Sequence, residues 1–202
     1  MKLPGWSVVF AFLLTGCATG YLLDNSVQSF SSLTALPAQP SYRFERLPSQ
    51  QAPAHGQLEA MADAALHKAG LRRDDANPRY TVQVSARLER VLSPWSSPWD
   101  GWGWGWGSGW YTGRHRSFGM GMGGPFGRME SPWYHREVSL IVRELPSNTV
   151  VFESQAANDG PWMDDNAVFP AMFEAALQGF PNPPAGPRRV DIQVGANSSL
   201  RN

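Results

Sequence analysis

Residues 79–91 read Arg-Tyr-Thr-Val-Gln-Val-Ser-Ala-Arg-Leu-Glu-Arg-Val, an alternation of apolar and polar side chains. Tyr80, Val82, Val84, Ala86 and Leu88 fall on one side of an extended chain, while Thr81, Gln83, Ser85, Arg87 and Glu89 fall on the other. Side chains of a strand alternate between faces, so the stretch predicts a strand with one wet face and one face that must be covered. Downstream, Val138, Leu140 and Val142 alternate with Glu137, Ser139 and Arg143. The turn formers Pro146-Ser147-Asn148 and a β-rich run at 149–156 complete a predicted hairpin. Upstream, residues 41–47 set Tyr42, Phe44 and Arg46 against Arg43 and Glu45, and residues 21–30 supply a less regular first strand. Residues 188–194 close the series through Val190, Ile192 and Val194.

Two stretches change the period from two to 3.6. In 53–70, Leu58, Met61, Ala62, Ala65, Leu66 and Ala69 share one face, and Gly70 is the predicted stop. After the turn-forming Asn158-Asp159-Gly160-Pro161, a second stripe runs through Phe169, Met172, Phe173, Ala176, Leu177 and Phe180. Asp164, Asp165 and Asn166 are its cap candidates, and Pro170 is expected in its first turn. Two one-sided helices can cover the apolar face of one sheet. The expectation is an α+β two-layer sandwich over residues 41–194, with a mostly antiparallel sheet and both helices on one face. Residues 17–40 form the N-terminal segment with the possible first strand, and 195–202 form a tail.

Residues 93–133 interrupt this framework. They hold seven of the nine Trp and eleven of the twenty Gly, a bias that no ordinary connecting loop needs. Trp102, Trp104, Trp106 and Trp110 are separated by Gly103, Gly105, Gly107 and Gly109, so an extended chain would carry every ring on one face and bare backbone on the other. Four destinations suit such a strip: the domain's own open sheet face, a membrane interface, a glycan or protein partner, and a single-stranded nucleic acid. Seventeen basic against seventeen acidic residues leave zero formal charge, so no global field recruits a polyanion and no nucleic-acid partner is expected.

The amino terminus reads as an address. Lys2 precedes an apolar run at 6–14, which is too short to span roughly 30 Å of hydrocarbon as a helix. The run ends in Leu14, Thr15, Gly16 and Cys17, which resembles the lipobox of bacterial lipoproteins. That resemblance implies a signal peptide at 1–16, cut before a diacylglyceryl-modified Cys17. It also makes Cys17, the sole cysteine, a tether to the lipid bilayer. Ala18, standing where inner-membrane lipoproteins tend to carry Asp, implies an outer-membrane location facing the periplasm.

Beyond the lipobox, the chain resembles the bacterial lipoprotein family called domain of unknown function 4136. The likeness rests on Tyr42-Arg43-Phe44, Ala69-Gly70-Leu71, the strand at 80–88, the hairpin and the closing Leu177-Gln178-Gly179-Phe180-Pro181. The acidic first-strand pattern of the family is weak here. The resemblance implies an envelope lipoprotein and carries over no catalytic residue.

Signals of catalysis are sparse. Gly119-Met120-Gly121-Met122-Gly123-Gly124 has dinucleotide-fingerprint spacing without the strand and helix the fingerprint needs, so no cofactor is implied. His55, His67, His115 and His135 make no i, i+4 pair, and no metal site is expected. Asp74-Asp75 and Asp164-Asp165 read as turn and cap residues. Ser108 lacks a nucleophile-elbow setting. The reading is a non-enzymatic binding or structural lipoprotein with an envelope protein or glycan partner. Its alternative is a periplasmic hydrolase of envelope polymers that uses Trp102, Trp104, Trp106 and Trp110 as a substrate platform.

Overall fold

The computed structural model describes residues 20–91, 93, 132–161 and 164–195. The strands are β1 (Tyr21–Ser31), β2 (Ser41–Phe44), β3 (Arg72–Arg73), β4 (Tyr80–Val91), β5 (Trp133–Glu144), β6 (Thr149–Gly160) and β7 (Arg188–Val194). Helices α1 (Pro53–Lys68) and α2 (Asp165–Ala176) complete the fold. The strands form one sheet in the order β3, β2, β4, β5, β6, β1, β7. β2 runs parallel to β3 and β4, and every other pairing is antiparallel. This is the expected α+β architecture, with both helices on one face.

The alternation read from the sequence sets which face is covered. Val82, Val84, Val138, Leu140 and Val142 are buried together with Phe152, Met172 and Phe173. On the open face, Ser85 lies opposite Ser139, Ser139 opposite Gln155, and Gln155 opposite Gln28. The rule holds for only half of β4, because Ala86 is exposed and Leu88 is 45% exposed on the helix side of the sheet.

The helix ends follow the sequence. Gly70 stands past α1 at φ +97°, the left-handed conformation that closes a helix, and the amide of Leu71 donates to the carbonyl of Leu66. Asp164 caps α2 by accepting the amide of Asn166. At the other end of α2, Ser154 Oγ donates to the Ala176 carbonyl at 2.6 Å, satisfying one of the helix's last free acceptors. That leaves Ser29 as the donor in its 2.8 Å bond to Ser154, and Arg188 in turn donates to Ser29. A hydrogen-bonded chain thus ties β7 and β1 to the C-terminus of α2, where the positive charge of Arg188 suits the helix dipole.

Three expectations need correction. Asn158-Asp159-Gly160 is not a turn but the end of β6, paired with Arg136, His135 and Tyr134 of β5. Turn propensity yields there to a complete ladder and to a buried Asn158 amide that donates to the Asp24 carbonyl at 2.8 Å. Pro170 is the sixth residue of α2, not part of its first turn, because the helix begins at Asp165. The carbonyl its missing N–H would have engaged belongs to Asn166, an exposed residue that water can serve. β2 stops at Phe44, and Arg46 turns its side chain to α1 instead of continuing the strand.

Candidate functional site

Five chain segments meet at one end of the sheet. β1 starts there at Tyr21, paired with Val194 at the end of β7. β4 finishes there at Val91, directly opposite Trp133 at the start of β5, and Tyr134 faces Gly160 at the end of β6. The root of the Gly/Trp-rich insertion and the chain leading back to Cys17 therefore leave the domain from the same end. Cys17, the residues Leu14, Thr15 and Gly16 that resemble a lipobox with it, and Trp102, Trp104, Trp106 and Trp110 lie outside the described residues.

The open face at this end is weighted with acids. Glu89 lies opposite His135, and His135 opposite Asp159. His135 Nδ1 is 2.8 Å from Asp159 Oδ1. Asp24 of β1 stands opposite Asp191 of β7, and Arg189 bridges to Asp24 at 3.1 Å. Orientation of an imidazole by a carboxylate is the geometry of a general base. Among the described residues no hydroxyl nucleophile bonds to His135, and no group of three metal-ligating side chains forms.

The helix-side face of the same end is a buried polar layer. Arg136 is 1% exposed, hydrogen-bonded through Nε to Asp165 Oδ1 at 2.9 Å, with its guanidinium 4.9 Å from the centre of the Tyr134 ring. Asp165 lies in the first turn of α2, where the helix dipole also favours its charge. Asn25 Nδ2 donates to the carbonyls of Leu23 and Val190, bracing β1 and β7. Burial and the neighbouring Asp164 raise the Tyr21 hydroxyl pKa above its ordinary value.

A second polar anchor fixes α1. Glu59, buried on the inner face, accepts from Arg46 Nε at 2.5 Å and from Arg46 Nη2 at 2.6 Å. His55 Nε2 lies 3.7 Å from the same carboxylate. The Arg46 hydrogen bonds hold the Glu59 carboxyl below its ordinary range, against the opposing effect of burial. A depressed folded value means the pair's stabilisation is complete above the unfolded carboxylate pKa, near 4.3, and is lost as pH falls through the folded value. Glu59→Gln should therefore cost about 1–3 kcal/mol at pH 7. In paired thermal melts, the gap between wild type and variant should stay constant from pH 7 to 5 and shrink below about pH 4. A gap that persists to pH 2 would contradict the assignment.

The other sequence-flagged residues serve the fold. Asp74 Oδ1 accepts the amides of Ala76 and Asn77, and Asp75 pairs with Arg73. His67 is exposed near the end of α1, and His115 lies outside the described residues. A cleft of about 300 Å³ lies away from the acidic row, lined by Ala65, Lys68 and Ala69 of α1, by Glu174 and residues 177–180, and by Ile192. Lys68 and Glu174 close its rim as a 2.5 Å ion pair. Sequence reasoning missed Arg136 and Glu59, two buried charges whose partners lie far along the chain.

The family model described as Domain of unknown function (DUF4136) matches residues 26–182. A search of curated proteins gives no match. Among solved structures, the chain is similar to the PelC dodecamer from Paraburkholderia phytofirmans at 12% identity and a TM-score of 0.46, over 79% of this chain and 99% of that one. It is also similar to a PDZ domain protein from Parabacteroides distasonis at 12% identity and a TM-score of 0.49, over 88% of this chain and 40% of that one.

Proposed function

Because this chain belongs to the DUF4136 family, whose name assigns no activity, we propose a role from its own residues. It is a lipid-anchored envelope protein that faces the periplasm from the outer membrane and presents one end of its sheet to the bilayer. The observation that carries this reading is the common end from which the N-terminal segment and the insertion depart. Four peptide units separate Cys17 from Tyr21, a reach of at most about 14 Å. Acyl chains on Cys17 would hold that end within this distance of the lipid, and two or more chains give durable anchoring. The root of the insertion at Val91 and Trp133 would then sit beside the headgroups, where Trp rings partition. Trp102, Trp104, Trp106 and Trp110 are accordingly assigned to the interface, as a second and weaker contact.

On this reading the domain is a binding or structural module, and its acidic open face is available to an envelope protein or glycan. The His135–Asp159 pair is what a hydrolase of envelope polymers would build on, and it is the one observation that favours that alternative. Vesicle binding tests the interface assignment. An unlipidated chain lacking residues 101–110 should partition onto phospholipid vesicles about tenfold less than the unlipidated parent. Equal partitioning would reject the assignment, and loss of peptidoglycan binding by the same deletion would transfer the segment to a glycan.

A further inference from the structure

The sheet's two edges are built differently. β3, at one edge, is two residues long, which leaves little to pair with. β7, at the other, is seven residues long, contains no Pro or Gly, and pairs with β1 at every position without a bulge. Among the described residues no strand engages its outer side. A regular edge of this length offers a row of backbone donors and acceptors to another strand.

The side chains of β7 select the partner. Arg189 and Asp191 are both exposed, two residues apart and therefore on the same open face. Asp191 makes no ion pair with any described residue and stands opposite a second carboxylate, Asp24. It lacks a cation. Outward charges on an edge strand discourage self-pairing when like charges meet, and antiparallel registers centred on Arg189 or on Asp191 bring like charges together. The register centred on Val190 does the opposite, setting Arg189 of each copy against Asp191 of the other and forming two cross-strand ion pairs. Both open faces then lie on the same side of one continuous sheet. Such a contact uses the same patch on both copies and closes as a two-fold dimer.

We propose that β7 is a self-association edge, at which a second copy of this chain pairs antiparallel about Val190. The test is sedimentation equilibrium of the full chain in density-matched detergent, comparing wild type, Asp191→Arg and the double swap Arg189→Asp with Asp191→Arg. Wild type should dimerise. Asp191→Arg, which places Arg against Arg twice, should weaken the dimer about tenfold or more. The double swap should restore the dimer, because reversing both charges regenerates the complementarity, and circular dichroism should show all three folded. A monomeric wild type overturns the proposal and leaves the edge to a strand from a different protein. A dimer indifferent to Asp191→Arg, or one that the double swap does not restore, overturns it as well.

Discussion

Replacing Cys17 by Ser is expected to leave the chain as an uncleaved precursor without acyl chains. Attachment of the diacylglyceryl group needs a thiolate nucleophile, and the hydroxyl of Ser does not ionise near neutral pH. Peptidase cleavage before residue 17 follows modification in the lipoprotein pattern that residues 14–17 resemble. The precursor should run larger by the sixteen residues that precede Cys17 and take up no labelled fatty acid. Each methylene buried in a bilayer contributes about 0.8 kcal/mol, so loss of the chains removes nearly all of the anchoring free energy. Gel mobility with metabolic fatty-acid labelling reads both effects. Normal processing of the variant would remove the basis for the tether.

The largest expected effect on stability comes from Phe152→Ala. Phe152 is 1% exposed on β6, and its ring meets that of Phe180 edge to face at 4.8 Å, joining the sheet to the chain beyond α2. Deleting a buried phenyl group forfeits its transfer free energy and leaves a cavity in a close-packed interior, a cost of about 3–5 kcal/mol. The melting temperature should fall on the order of 10 °C. Phe30→Ala is the matched control, because Phe30 is 60% exposed on the open face of the neighbouring strand β1. Its cost should stay within about 0.5 kcal/mol. Thermal melts of the two variants check which face the helices cover, and a reversed ranking would contradict the two-layer assignment.

Local pattern carried the framework because the framework is local in origin. Val82 and Val84, like Val138, Leu140 and Val142, announce their strands by spacing alone, and Gly70 announces the end of α1 by its tolerance of positive φ. What escaped the sequence reading was charge in the interior. Arg136 continues the inward parity of Val138, Leu140 and Val142, yet a guanidinium in that series reads as the end of the pattern. Its burial becomes tolerable only through Asp165, twenty-nine residues onward, which adjacent residues do not reveal. Glu59 shares a face with Ala62 and Leu66, and its partner Arg46 precedes it by thirteen residues. Asn158 reads as a turn former until β5 pairs along its whole stretch. In each case a contact distant in sequence outweighed a sound local preference.

The candidate site was legible in a different way. The lipobox-like run at 14–17 and the Trp-Gly repeat stand out in composition and order, but their relation to each other is a property of topology. Only strand order and register bring the start of β1 and the loop end of the β4–β5 pair to one end of the sheet. From that juxtaposition come both the proposed orientation of the domain and the proposed contact of its aromatic segment with lipid.

Mass spectrometry of the amino-terminal peptide of the native protein tests the tether most directly. A lipid-anchored chain should give a peptide beginning at residue 17, with a thioether-linked diacylglyceryl group on its cysteine and no trace of residues 1–16. A peptide beginning at Met1, or an unmodified Cys17, would contradict it.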